Sequence, residues 1–197
     1  MSNPTSVTQK PHFRKELPGD LAIWIFILAE LAVFGILFIA FNVTRATRPE
    51  LFLEGFHHLN RTAGLINTIA LITSSYFVIN AVLSVRHDKL KQAGYWLWAA
   101  LAAGMVYVLV KLFEYSESFS AGYKLSTNTF YMFYYFLTFF HLAHVLLGMV
   151  ILSALLVNCR KGKYSSQDHF GLSSGASYWH MVDLVWVVLF PTVYVIH

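Results

Sequence analysis

LAIWIFILAELAVFGILFIAF, residues 21–41, decides the fold. A helix crosses the hydrocarbon core of a bilayer with roughly 20 mostly apolar residues. This stretch has that length, and Glu30 is its one ionisable side chain. Pro18-Gly19-Asp20 just ahead of it is a helix-start signal. Four more stretches read the same way: Gly64–Val85, Tyr95–Tyr115, Phe130–Val157 and Tyr178–Ile196. The fourth span is long enough to tilt or protrude. The expected fold is therefore all-α, an integral membrane bundle of five transmembrane helices. Residues 21–197 form its single domain, behind a polar N-terminal tail of residues 1–20. A long soluble core helix is the alternative for any one span. Five such spans leave too little polar sequence to cover a soluble surface.

Composition points the same way. Of the 197 residues, 57% are hydrophobic and 12% charged, against roughly 25% charged in a soluble domain. Aromatic residues reach 17%, which suits a protein with rings at the membrane interface. No Lys/Arg run interleaved with aromatics suggests a nucleic-acid surface. The lone Cys159 has no internal disulfide partner and no zinc or redox spacing. No cleavable signal precedes residue 21, so the first span is expected to be retained as an anchor. No internal repeat is visible. The connecting loops, roughly nine to twenty residues long, are too short for a folded extramembrane module.

An odd number of spans puts the termini on opposite sides. Nine basic residues fall on one face: Lys10, Arg14, Lys15, Arg86, Lys89, Lys91, Arg160, Lys161 and Lys163. Four fall on the other: Arg45, Arg48, Arg61 and Lys124. The positive-inside rule then makes the N-terminus cytoplasmic and the C-terminus periplasmic, in a prokaryotic inner membrane. Lys111 is left over, inside the third span.

Ionisable groups in a bilayer need a partner, a cavity or a task. Glu30 lies midway along the first span. Charge is costly there, so a neutral carboxyl is expected, either hydrogen-bonded to another helix or serving as a proton-accessible or partner-contact group. His141 and His144 are three apart on one helix. Hydrogen bonding between helices is their expected use. A metal or haem site would need further ligands, which Glu30, Glu114, His180 and Asp183 could in principle supply. Lys111 and Glu114 share the same spacing and are expected to pair and to snorkel to the outer surface. His180 and Asp183 repeat it, with Asp183 placed to accept the imidazole N–H. A structural network or a proton-entry role follows. Asn67, Thr68, Thr73, Ser74, Ser75 and Asn80 form a stripe suited to close helix packing. The remaining histidines lie in loops and tails: His57 and His58, His87 and His169, His12 and His197. No phosphate loop, H-E-x-x-H or nucleophile elbow is present. No residue is therefore assigned a catalytic, cofactor-binding or metal-binding role.

Ala29-Glu30-Leu31-Ala32-Val33-Phe34, Leu65-Ile66-Asn67-Thr68 with Thr73-Ser74-Ser75, Phe140-His141-Leu142-Ala143-His144-Val145 with Gly148, and Tyr178-Trp179-His180-Met181-Val182-Asp183-Leu184-Val185-Trp186 occur in that order. Together they resemble the subunit III family of haem-copper oxidases; Phe113-Glu114-Tyr115 matches more loosely. The likeness covers nearly the whole chain after residue 18. Larger members have two additional N-terminal helices, absent here, that help to form a lipid-filled cleft. Leu17–Trp24 and Tyr131-Met132-Phe133-Tyr134-Tyr135 are most similar to the five-helix branch associated with nitric oxide reductase. The resemblance implies a non-catalytic subunit without haem or copper. Haem and metal would reside in a partner, the catalytic subunit of an oxidase or nitric oxide reductase. It also implies lipid binding and support of sustained turnover and proton uptake. The family's intramembrane acid falls on Glu30, its histidines on His141, His144 and His180, and its carboxylates on Glu114 and Asp183. Two other classes stand beside this one: a small proton-conducting or transport protein, suggested by Glu30, and a membrane enzyme or haem protein, suggested by the histidines. The absence of an inverted repeat weighs against a transporter.

Overall fold

The computed structural model describes residues 21–195. The expected tail of residues 1–20, the Pro18-Gly19-Asp20 start signal, Ile196 at the end of the fifth span, and His12 and His197 lie outside the described residues. The described residues form six helices: α1 (Leu21–Thr47), α2 (Pro49–His58), α3 (Arg61–Arg86), α4 (Leu90–Ser120), α5 (Thr129–Arg160) and α6 (Phe170–Phe190), which continues as a wider π-helical turn over Pro191–Val195. Among the described residues five helices are long and apolar enough to cross a membrane: α1, α3, α4, α5, and α6 with its final turn. The protein is an all-α membrane bundle, as the five apolar stretches require.

The helices run past the apolar stretches that announced them. Local chemistry sets their ends. The Asn60 side chain accepts from the Ala63 N–H at the start of α3, and Asn128 does the same for Tyr131 at the start of α5. Gly122 and Gly162 follow α4 and α5 with positive φ, the conformation that turns a chain out of a helix. Pro191 has no N–H to give to the preceding turn, and the ladder widens there.

Two stretches expected as loop are helical. Pro49–His58 forms α2, opened by Pro49 in its first turn with Glu50 behind it. Phe52 of α2 packs on Phe41 and Phe130, with ring centroids 5.2 and 5.4 Å apart. A single apolar stripe on ten residues is too short to register as a span. The fifth span begins at Phe170, well before Tyr178. Gly171, Ser173, Ser174, Gly175 and Ser177 interrupt the apolar run ahead of Tyr178. In the fold Gly175 lets α6 approach α5 closely, where a Cβ would fall 2.6 Å from Leu155.

α3 and α4 form a tight antiparallel pair. Small residues are buried along both: Ala63, Gly64, Ser74, Ala81 and Ser84 on α3, and Ala93, Gly94, Ala100 and Gly104 on α4. Ser74 Oγ donates to the Ala100 carbonyl at 2.8 Å and fixes their register. α5 and α6 close the bundle, and α6 is the most buried of the spans. Its Trp179 lies against Gly148 of α5, where any Cβ would fall 2.7 Å from the indole. α1 is peripheral. It buries Ile27, Phe34 and Phe41, one residue every two turns, and leaves its other faces open.

The loops define two ends. Asp88 Oδ1, between α3 and α4, accepts from the Ser166 N–H, between α5 and α6, at 2.7 Å. Both loops thus lie at one end, with Arg86, Lys89, Lys91, Arg160, Lys161 and Lys163. This is called the basic end below. α2 and the α4–α5 loop meet at the other, where the His58 and Tyr123 rings lie 4.8 Å apart.

Candidate functional site

Four polar centres sit inside the bundle. The largest is built on Lys111 and Glu114 of α4. Lys111 is fully buried and Glu114 nearly so. Lys111 Nζ donates to Tyr194 Oη at 2.6 Å, to Glu114 Oε2 at 3.1 Å and to Tyr134 Oη at 3.3 Å. Tyr134 and Tyr194 each pass a proton donor on to Glu114 Oε1, both at 2.7 Å. Both hydroxyls therefore accept from the cation and donate to the anion, so the pair is bridged twice. The rings of Tyr134, Tyr115, Tyr194 and Trp186 surround the ammonium at 4.8, 5.0, 5.3 and 5.9 Å from its nitrogen. The expected pairing is present, but the expected snorkelling is not. α4 continues to Ser120, so Lys111 lies more than two turns short of the helix end. Aromatic side chains of α5 and α6 then wall it in.

One turn toward the basic end from Lys111 lies Tyr107, packed on Trp186 at 5.0 Å and on His141 at 5.7 Å. His141 is fully buried, and neither of its ring nitrogens has a hydrogen-bond partner among the described residues. The hydrogen bond between helices expected of it is not made; aromatic edges occupy its surroundings instead. Tyr107 Oη and both polar atoms of the fully buried Asn67 are equally unpartnered. The Ser74–Ala100 register places Asn67 level with Tyr107 across the α3–α4 pair. Other members of the α3 stripe do bond to other helices. Trp186 Nε1 donates to Thr68 Oγ1 at 2.9 Å, and Ser74 and Ser75 both reach other helices.

His144, three residues from His141, turns away to α1. Its Nε2 stands 3.0 Å from Glu30 Oε2, and its Nδ1 stands 2.7 Å from the Phe140 carbonyl. A carbonyl only accepts, so Nδ1 must carry a hydrogen. A neutral ring with that tautomer offers Nε2 as an acceptor. The contact with Glu30 then needs one proton between the two groups, held either by the carboxyl or by the imidazole. Phe34 and Phe140 flank the imidazole at 5.3 and 4.7 Å.

The fourth centre is nearer the basic end. His180 Nδ1 is hydrogen-bonded to Ser75 Oγ of α3, not to Asp183 as its spacing suggested. Asp183 is buried, and neither of its carboxylate oxygens has a hydrogen-bond partner among the described residues. Among the described residues no group of three or more His, Cys, Asp or Glu side chains is placed to hold a metal ion.

Sequence reasoning found Lys111, Glu114, Glu30, His144, His180 and Asp183, and missed the hydroxyls that connect them. A tyrosine hydroxyl in an apolar span needs a partner, so Tyr134 and Tyr194 carried the signal.

Fold and interior together define a class: a polytopic helical membrane protein whose ionisable groups are turned mainly on one another. The chain matches the family model for cytochrome c oxidase subunit III over residues 12–197. It is 30% identical to cytochrome c oxidase subunit 3 of Thermostichus vulcanus over 177 residues, 89% of this chain and 86% of that one. It is 33% identical to the probable quinol oxidase subunit 3 of Staphylococcus aureus (strain USA300) over all of this chain and 97% of that one. It is 31% identical to the haem-copper oxidase subunit I+III of Aeropyrum pernix, over 93% of this chain and 25% of that longer one. The chain belongs to the cytochrome c oxidase subunit III family.

Proposed function

We propose that this chain is a non-catalytic accessory subunit of a haem-copper respiratory complex, supporting its assembly, stability or sustained turnover. Family membership carries the reading. The interior supports it: the strongest ionic centre, Lys111 with Glu114, is spent on internal bonds and offers no open face to a substrate. Haem and metal belong to the catalytic partner, which is a terminal oxidase or a nitric oxide reductase. The relatives' names favour an oxidase. The Tyr131–Tyr135 run and the Leu17–Trp24 stretch favour a nitric oxide reductase. The chain sits in a prokaryotic inner membrane with the basic end cytoplasmic, which follows from the distribution of Lys and Arg.

Deleting the chain tests this reading. Initial turnover by the catalytic partner should survive, while complex yield falls or activity decays faster under sustained turnover. Immediate loss of the initial rate in a normally assembled remainder contradicts it. Assaying the same membranes with oxygen and with nitric oxide assigns the partner. The proton-shared Glu30–His144 contact favours a second reading, proton conduction by the chain itself. Proton flux in vesicles containing the chain alone would support that one.

A further inference from the structure

Asn67 of α3, Tyr107 of α4 and His141 of α5 are fully buried. Their polar side-chain atoms, Nδ2 and Oδ1 of Asn67, Oη of Tyr107, and Nδ1 and Nε2 of His141, have no hydrogen-bond partner among the described residues. Trp186 of α6 links the three. Its ring lies 5.0 Å from that of Tyr107 and 5.2 Å from that of His141, and its N–H bonds to Thr68, the chain neighbour of Asn67. Helix register brings Asn67 level with Tyr107. Ser74 bonds to Ala100 across the antiparallel pair, and two turns farther along each helix the next residues in register are Asn67 and Tyr107. The neighbouring polar side chains are already committed. Lys111 spends its three N–H groups on Tyr194, Glu114 and Tyr134. Tyr115 donates to Thr138, and Thr138 to the Tyr134 carbonyl. Thr68 donates to the Gly64 carbonyl and accepts from Trp186. His144 uses both ring nitrogens elsewhere.

We propose that Asn67, Tyr107 and His141 form a binding site for buried water, which bridges α3, α4 and α5 at this level. Small side-chain movements do not complete the trio. The rings of Phe34, Tyr107 and Trp186 hem in the His141 ring at 6.3, 5.7 and 5.2 Å. Its two nitrogens point apart, so a direct bond to Asn67 or Tyr107 at one of them leaves the other unserved. Leaving buried polar atoms unpaired costs more than immobilising a water that pairs them. A buried water makes about three hydrogen bonds, and the trio offers one residue from each of three helices. The choice of water over an ion follows from the same groups. An amide, a hydroxyl and an imidazole mix donors with acceptors. They present no carboxylate to a cation, and the nearby Lys111 is already paired with Glu114. Bridging water does for Asn67 and Tyr107 what the direct Ser74–Ala100 bond does two turns away. The inference goes beyond an accessory role and does not depend on one.

The test uses the full chain, isotope-labelled and reconstituted in lipid bilayers. Solid-state NMR follows magnetisation passing from water to the Asn67 side-chain amide and the His141 ring. Asn67→Leu and His141→Phe assign the two signals by deleting them. Both groups should receive magnetisation from water well before the backbone amide of Leu152, an equally buried residue of α5 with an apolar side chain. Tyr107→Phe removes one hydroxyl and keeps the ring, so the fold is retained. It should lower transfer to Asn67 and to His141 together, several-fold, because both draw on the same water. Asn67→Leu should likewise lower transfer to His141. If that larger change fails to fold, the native chain and Tyr107→Phe decide the matter alone. No water transfer in the native chain, with an Asn67–Tyr107 cross-peak in its place, would mean direct pairing and overturns the proposal. Transfer unchanged by Tyr107→Phe overturns it as well, since the water would then not be shared. Copurification with a haem protein bears on the accessory role separately, so the two failures are distinguishable.

Discussion

Replacing Lys111 with Met removes the centre of the buried cage and leaves Glu114 as an uncompensated charge. Three bonds from Nζ disappear, at 2.6, 3.1 and 3.3 Å. Glu114 keeps its two tyrosine donors but loses its counter-ion. Breaking one side of a buried ion pair costs about 3–5 kcal/mol, and that is the expected loss in unfolding free energy. Glu114→Gln should cost less, because the amide oxygen still accepts from Tyr134 and Tyr194. The combined Lys111→Met/Glu114→Gln chain removes both charges. Its loss should fall short of the sum of the single losses by about 2 kcal/mol, within the range of coupling for contacting groups. Reversible unfolding in mixed micelles, read by tryptophan fluorescence, measures all four chains of the cycle. Single losses near 1 kcal/mol that add without coupling would refute the cage as a mutually stabilised unit, since that is the scale of an exposed pair.

Further outcomes follow from the other centres. Glu30→Ala should cost about 1–3 kcal/mol by stranding His144 Nε2, and Glu30→Gln less; equal losses of stability in the two variants would contradict the hydrogen-bond account. Gly148→Ala drives a Cβ to 2.7 Å from Trp179 and should destabilise by about 1–3 kcal/mol, the cost of overpacking; a neutral result would mean that the α5–α6 contact is looser than described. Bonding from the Ser166 N–H holds the Asp88 carboxyl below the usual Asp value. A lowered folded value means that the loop clasp is present at neutral pH and is lost as pH falls through that value. Exchange of the Ser166 amide should accelerate in acid and in Asp88→Ala, and a pH-independent rate would contradict the clasp.

Much of the fold was written in the hydrophobic runs, because a membrane demands length and apolarity and both are local properties. Where the structure differs, locality failed. α2 is amphipathic and short, and it exists because Phe52 and Phe56 pack on Phe130 of a distant helix. The early turns of α6 are rich in Ser and Gly, which break the apolar run, yet Gly175 packs closely on α5. The candidate site was legible as ionisable residues in apolar runs. Their partners were not, because Lys111–Tyr194, Glu30–His144 and Ser75–His180 each join residues far apart in sequence. Spacing of three along one helix correctly paired Lys111 with Glu114. The same spacing misled at His180 and Asp183, where His180 bonds to Ser75 instead; the bond between helices expected of His141 and His144 is made by His144 alone.

Purifying the chain through an affinity tag from its native membranes, in mild detergent, tests the accessory assignment most directly. The account predicts a complex whose visible spectrum shows haem in fixed proportion to the chain. That haem should remain entirely with a second, larger subunit when the two are separated. Haem retained by the isolated chain, or recovery of the chain with no haem-bearing partner at all, would contradict it.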